Sequence, residues 1–286
     1  MAKKKKSFGI YKNGLEKYCG DSLKQFKYKF KYEEQFILVE GFNYPSDHFK
    51  SVPKNKKDLR QLISFALANK TSLIPRTAGT SLAGQCVGSG IVVDVSKYFT
   101  EILNLDVENR TVTVQPGVNR DALNRFLEPH GLFFGPNTST SQYCLLGGML
   151  GNNSSGTTSI RYGVTRDVVI AVETLLSDGS EATFKACDSK ELETKLKNNT
   201  QEGKIYHFLF EALSNPKVQK AITTDFPDAS VHRRNTGYAV DVLLNQHPLN
   251  PQGEAFNIAK LLAGSEGTLA LTTAMTFSLV PIPPKH

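Results

Sequence analysis

The chain has 286 residues, 40% of them hydrophobic and 21% charged, with 22 Gly, 13 Pro, 4 Cys and no Trp. That is enough for one large domain or two small ones with a full core, and the balance excludes a disordered, collagen-like or disulfide-scaffold protein. The net charge of +7 gathers at the N-terminus, where residues 1–31 hold ten Lys against Glu16 and Asp21; the body is near neutral and nucleic-acid binding is not expected.

The start, MAKKKKSFGIYKNG, has no apolar stretch behind its lysines, and no run reaches the ~18 apolar residues of a membrane span. Neither a secretory signal nor a transmembrane segment is expected. Residues 26–32, FKYKFKY, alternate with a period of two, which suggests an edge strand. The stretch 54–70 then places Leu59, Leu62, Ile63, Ala66 and Leu67 on one face of a helix. A short apolar step, SLIP, runs into Arg76-Thr-Ala-Gly-Thr-Ser81. Residues 91–95, IVVDV, and 111–117, TVTVQPG, are β-branched and strand-like.

Asn119 can cap a helix bearing Leu123, Phe126 and Leu127 and closed by Gly131. Residues 135–163 are rich in Gly, Ser and Asn. VVIAVETLL turns at Asp178-Gly179 into SEATF, a hairpin signal. Residues 189–221 are charged and helical in character, and the last 23 read as a loop and then a strand that a proline cluster stops. Helices and strands mix without strict βαβ alternation or a repeat, so the class is α+β. Cys19, Cys86, Cys144 and Cys187 are far apart, and no CxxC, HExxH or HxxxH pattern occurs. They read as reduced thiols of an intracellular protein with no metal site.

Twelve of the 22 glycines fall between Gly79 and Gly163, where backbone amides can approach a ligand closely. The segment from Pro75 to Gly84 reads either as a surface loop or as a nest of amides, with Thr77, Thr80 and Ser81 hydroxyls, suited to a phosphate. It fits neither the Walker loop nor GxGxxG. In the segment from Gly135 to Gly156, then Ile160-Arg-Tyr-Gly163, the apolar Leu145, Leu146, Met149 and Leu150 interrupt the glycines. Linkers seldom carry such residues, so this segment is expected to be buried and tightly wound, with a large ligand among its polar partners. Gly264-Ser-Glu-Gly-Thr-Leu269, with Arg234-Asn-Thr-Gly-Tyr238 upstream, completes the set, although either could be a turn before a strand.

In order, PRTAGTSLAGQ, PNTSTSQYCLLGGMLGNNSSGTTSIRYGVTRD, RNTGY and GSEGTLAL resemble the FAD-binding domain of the vanillyl-alcohol oxidase (PCMH-type) superfamily. The closest likeness is to its D-lactate and D-2-hydroxyglutarate dehydrogenase branch, over roughly residues 50–281. The family loop usually reads PRGGGTSL; Thr77 and Ala78 stand here for two of its glycines.

The resemblance implies two α+β subdomains with FAD between them: a basic segment at 1–48, a small subdomain at 49–107 and a larger one at 108–286. It implies that Pro75, Arg76, Thr77, Ala78, Gly79, Thr80, Ser81 and Leu82 hold the pyrophosphate. Pro136, Thr138, Thr140, Gly147 and Gly148 would line the flavin and ribityl chain. Asn152, Asn153, Ser154, Ser155, Gly156, Tyr162 and Gly163 would complete the diphosphate and adenine side, and Glu266, Gly267, Thr268 and Leu269 would close over the cofactor. Asn235 and Tyr238 match a further family segment. Relatives with covalent flavin carry His where Thr80 stands, and Cys144 is not at the cysteine-linking position, so the FAD is expected to be dissociable.

The implied reaction is hydride transfer from a D-2-hydroxyacid to flavin N5. Family members continue into a cap domain that carries metal-binding histidines and a base, in some with iron–sulfur domains. The sequence stops near that boundary, so this portion is expected on a missing segment or partner chain, and no catalytic residue is assigned; Tyr143, His232 and Arg233 are weak candidates. The alternatives are a flavin-binding subunit without turnover and a UDP-N-acetylenolpyruvoylglucosamine reductase-like enzyme, against which the GSEGTLAL ending speaks. The expected location is cytoplasmic, including the inner face of a membrane.

Overall fold

A computed structural model describes residues 49–82, 84–228, 231, 234 and 237–283. The strand expected at 26–32, Cys19, His232, Arg233 and Asn235 lie outside the described residues.

The chain opens with strand β1 (Phe49–Ser51), helix α1 (Lys56–Ala68), β2 (Leu73–Arg76) and β3 (Ile91–Asp94). The three strands form a parallel sheet in the order β1–β3–β2, and every residue of central β3 is buried. Both faces of such a strand are covered, which is why IVVD reads as a continuous apolar run rather than an alternation. Helix α1 starts where the Asn55 side chain accepts the Asp58 N–H, 3.0 Å. It buries Leu59, Leu62 and Ile63 against Val93, Val95 and Phe99, and against Leu175 and Leu271 of the second sheet. Leu67, expected on that face, is 61% exposed and borders a surface hollow with Leu73 and Leu175.

β4 (Ile102–Asp106) and β5 (Thr111–Val114) begin the second sheet, so the change of sheet falls between Asp94 and Ile102. Helix α2 (Arg120–Leu127) follows, capped by Asn119 as its sequence requires, and a 3-10 turn (Glu128–His130) ends at left-handed Gly131. Leu123 and Leu127 are fully buried, whereas Phe126 is 44% exposed and stacks at 6.1 Å on His130 instead of entering the core. Next come β6 (Leu132–Phe133), α3 (Leu146–Gly151), α4 (Ser159–Tyr162), α5 (Thr165–Val168), β7 (Val169–Leu175) and β8 (Glu181–Lys185), the last two joined by the expected turn at Asp178-Gly179. Helices α6 (Ser189–Lys197), α7 (Gln201–Ser214), α8 (Pro216–Asp225), α9 (Val240–Leu244) and α10 (Ala259–Leu262) then lead to β9 (Leu271–Ser278) and β10 (Val280–Pro281).

The second sheet is antiparallel, in the order β4–β5–β9–β7–β8. Its core side carries Val112, Val114, Val172, Phe184 and Phe277, which pack with Leu123, Leu127, Phe134, Leu146, Tyr206 and Phe256 from the helices and loops. Burying each such side chain is worth ~1.5–3 kcal/mol, so this cluster dominates the stability of the larger sheet. α1 also reaches that sheet through charge: Lys56 Nζ lies 3.0 Å from Glu181 and 3.3 Å from Glu173, and Arg60 pairs with Glu181. Among the described residues, no helix is long and apolar enough to cross a membrane, and no group of three or more His, Cys, Asp and Glu side chains could hold a metal ion.

Candidate cofactor site

Where the two sheets meet, the loop after β2, helix α3 with the segments that flank it, and the loop before β9 enclose a cavity of about 500 Å³. That lies within the roughly 300–1,000 Å³ typical of small-molecule and cofactor sites. The first wall is the segment from Pro75 to Leu82, all of which lines the cavity. At its centre Gly79 has φ +67°, a conformation that side chains rarely adopt, and a Cβ there would stand 2.9 Å from Arg76 Nε at the end of a flexible side chain. Arg76 Nε is buried without a hydrogen-bond partner among the described residues. No protein acceptor among them takes the main-chain N–H groups of Thr77, Ala78, Gly79 or Thr80 either. Buried donors ordinarily find partners, so the orphaned Arg76 Nε, beside main-chain amides that are half-buried or, at Gly79, exposed, suits an anion outside the chain.

Helix α3 forms the second wall. It is built from LGGMLG, with Leu146, Met149 and Leu150 buried and the paired glycines turned to Pro116 and Thr77. A Cβ on Gly147 would lie 2.5 Å from Pro116 Cβ, and one on Gly148 2.6 Å from Thr77 Oγ1. The missing side chain at Gly148 therefore lets the helix seat itself against the first wall, and the one at Gly147 lets it seat against Pro116. Ahead of it, the Thr138 hydroxyl lies 3.4 Å from that of Thr140 and 3.3 Å from Cys144 Sγ. Burial pushes the Cys144 thiol up, so it stays neutral and serves as wall.

The third wall is tied to α3 by main-chain bonds: the Gly264 N–H donates to Leu150 O and the Glu266 N–H to Gly151 O, both 2.9 Å. Glu266 takes φ +52°, uncommon for a residue with a side chain. Its carboxyl lines the cavity, where partial burial raises its pKa above the ordinary glutamate value against the opposing effect of the Gln85 hydrogen bond. Ser81 Oγ donates to Gln85 Oε1 at 2.6 Å and Gln85 Nε2 to Glu266 Oε1 at 3.4 Å, which links the first wall to the third.

The structure thus brings together Pro75 to Leu82, Thr138, Thr140, Gly147, Gly148, Asn152, Ser154, Ser155, Glu266 and Gly267. Seven other expected residues sit behind or beside the cavity. Asn153 is fully buried, its Oδ1 accepting the Arg166 N–H at 2.8 Å and its Nδ2 donating to Arg234 O at 3.4 Å. Arg166 in turn donates to Ala263 O and Lys260 O, which fixes the third wall. Pro136 O accepts from Arg120 Nε, and Gly156 packs on the Asn137 carbonyl. Tyr162 stacks edge-on with Phe133 at 5.1 Å, and Gly163 packs on Asp167. Thr268 bonds Tyr238 Oη at 2.7 Å, and Leu269, 41% exposed, faces a second, apolar hollow beside α1. Tyr143 is 69% exposed and does not line the cavity. Gln85, Ser139 and Cys144, inside the motifs but not assigned to the site, and Cys86 and Pro116, outside them, line it as well.

Comparison with known proteins fits this geometry. Residues 50–185 match a protein family described as the FAD binding domain. D-2-hydroxyglutarate dehydrogenase of Escherichia coli is 33% identical over 234 residues, 81% of this chain and 22% of the relative. The mitochondrial D-lactate dehydrogenase (cytochrome) of Kluyveromyces lactis is 34% identical over 132 residues, 45% of this chain and 23% of its own length. The chain thus spans about a fifth of the length of the first and less than a quarter of the second. In fold it resembles alkyldihydroxyacetonephosphate synthase, with a TM-score of 0.52 at 16% identity over 86% of this chain and 34% of that one.

Proposed function

Because this chain carries an FAD-binding domain of the family that includes the D-2-hydroxyglutarate and D-lactate dehydrogenases, we propose that it is the cofactor-holding part of an enzyme that oxidises a D-2-hydroxyacid. The observation that carries this reading is the cavity wall itself: open amides from Thr77 to Thr80 beside an unpartnered, buried Arg76 Nε. Those donors suit a diphosphate, which needs several N–H groups and one cation. In this reading Thr77, Thr80 and Ser81 add hydroxyls to them. The smooth face of Gly147 and Gly148 with Thr138 and Thr140 borders the isoalloxazine and ribityl chain, and Asn152, Ser154 and Ser155 border the remainder. Asn153, Tyr162, Gly163 and Thr268 act one layer out, holding the walls in place.

When bound, FAD supplies the hydride acceptor, while the hydroxyl proton of the substrate leaves to a base and a 2-oxoacid forms. The chain's own residues bind the cofactor non-covalently, orient it and exclude water. The groups that hold the hydroxyacid and take its proton belong, in this proposal, to the rest of a longer protein or to a partner chain. The cavity would then lie between a small unit ending near residue 107 and a larger one. Free, buried Cys144 and Cys187 support a cytoplasmic location.

The test is an absorbance spectrum of the purified chain after incubation with FAD and desalting, repeated anaerobically with D-2-hydroxyglutarate and with D-lactate. Retained flavin that neither hydroxyacid bleaches is the expected result. Absence of flavin would overturn the cofactor assignment, and bleaching would show that the chain already holds a complete substrate site.

A further inference from the structure

The cavity is poor in charge. Among its described lining residues only Arg76 and Glu266 are ionic side chains, and they stand on different walls. Arg76 faces the loop amides, whereas Glu266 is held to that same loop through Gln85, by contacts of 2.6 Å to Ser81 and 3.4 Å to Glu266. One glutamine side chain therefore separates the carboxyl from the Thr77–Ser81 loop, well inside the ~10 Å over which salt screens charge. The Glu266 main chain is fixed by its bond to Gly151 O, so its backbone is anchored beside the loop. Other charges packed against this corner face elsewhere: Arg166 is bound to the carbonyl of Ala263, and Lys260 Nζ donates to the carbonyls of Arg166 and Asp167. Cys86 and Cys144 are the remaining titratable groups of the lining, and burial keeps the Cys144 thiol neutral.

We propose that Glu266 makes cofactor affinity depend on pH: its carboxylate opposes the diphosphate of FAD, so binding is coupled to partial proton uptake from solvent at this side chain. The inference rests on the FAD reading above and adds a regulator to it. The sign is fixed by linkage. A neighbouring anion disfavours the charged carboxylate, so the pKa of Glu266 is higher in the complex than in the free protein, and affinity rises as pH falls through that interval. The raised value in the free chain, caused by burial, brings the interval toward neutrality.

FAD affinity would be measured by quenching of flavin fluorescence from about pH 8 to about pH 5, a range starting well above the ordinary glutamate value and ending near it. The wild-type chain should bind roughly tenfold more tightly at the acid end, as a one-unit rise of the Glu266 pKa on binding requires. Glu266→Gln keeps the shape and the partner to Gln85, and should bind at every pH as the wild type does at low pH. Gln85→Leu removes a donor that favours the carboxylate, so the transition should move to higher pH. A flat wild-type profile, or a slope kept by Glu266→Gln, would overturn the proposal while leaving FAD binding intact. Should Glu266→Gln not fold, an unmoved transition in Gln85→Leu would overturn it equally. No binding at any pH would bring down the cofactor reading together with it.

Discussion

At the scale of single residues the site separates groups that face the cavity from groups that hold its walls, and mutation should tell them apart. Gly79→Val puts a β-branched side chain at φ +67°, with its Cβ 2.9 Å from Arg76 Nε; valine disfavours that conformation and the branch would fill the anion site. FAD binding should be lost while the circular dichroism spectrum stays native. Asn153→Ala should do the opposite, because Asn153 is a buried brace whose loss leaves the Arg166 N–H without its acceptor. A stability loss of about 1–3 kcal/mol in urea unfolding is expected, with FAD affinity in the folded protein little changed. Asp94 gives the pH response of the smaller sheet. Burial alone would raise its pKa, but the Lys50 ammonium at 2.7 Å and the Ser96 donors outweigh this and hold it below the usual aspartate value. Its contribution is therefore complete at neutral pH and fades as pH falls below about 4. Asp94→Asn should flatten the acid limb of a melting-temperature profile.

Among the elements, those with local signals were legible and those made by tertiary contact were not. The apolar spacing from Leu59 to Ala66 announces α1, Asn119 announces the start of α2 and Asp178-Gly179 announces the hairpin, because a periodic face, a cap or a turn is set within a few residues. α3 is hidden for the opposite reason. Its Gly-Gly pair argues against a helix by ~1 kcal/mol per residue, and the compensation comes from Pro116 and Thr77, distant in sequence. The short helices α9 and α10 lack any side-chain cap to mark them. The site follows the same rule: three of the four ordered segments supply the walls of the cavity, but they did not disclose that Gln85 would reach Glu266 or that Asn153 would turn inward. Gly203 in α7 shows how packing overrides propensity. Alanine would favour the helix by ~1 kcal/mol, yet its Cβ would lie 1.9 Å from the Asn198 carbonyl oxygen. Gly203→Ala should therefore destabilise, by about 1–3 kcal/mol in urea unfolding.

Across the whole molecule, α1 joins the two sheets through both charge and burial, and magnitudes decide which matters. Lys56, Glu173, Arg60 and Glu181 have side chains 37–49% exposed, so their pairs contribute at most about 1 kcal/mol each and weaken with salt. Leu59 is fully buried between the sheets, and Leu59→Ala should cost about 2–5 kcal/mol. Denaturation of Lys56→Ala and Leu59→Ala at low and high salt would show the first effect shrink and the second persist. The position of β9 has a consequence for biosynthesis. It is the centre of the larger sheet, yet it is the last of that sheet's strands in chain order. As the chain leaves the ribosome, the β4–β5 and β7–β8 pairs emerge first, each with an open edge awaiting the same partner. Until Leu271–Ser278 slots between them the nascent protein is two unjoined hairpin layers, a window in which chaperone capture and self-association compete with completion.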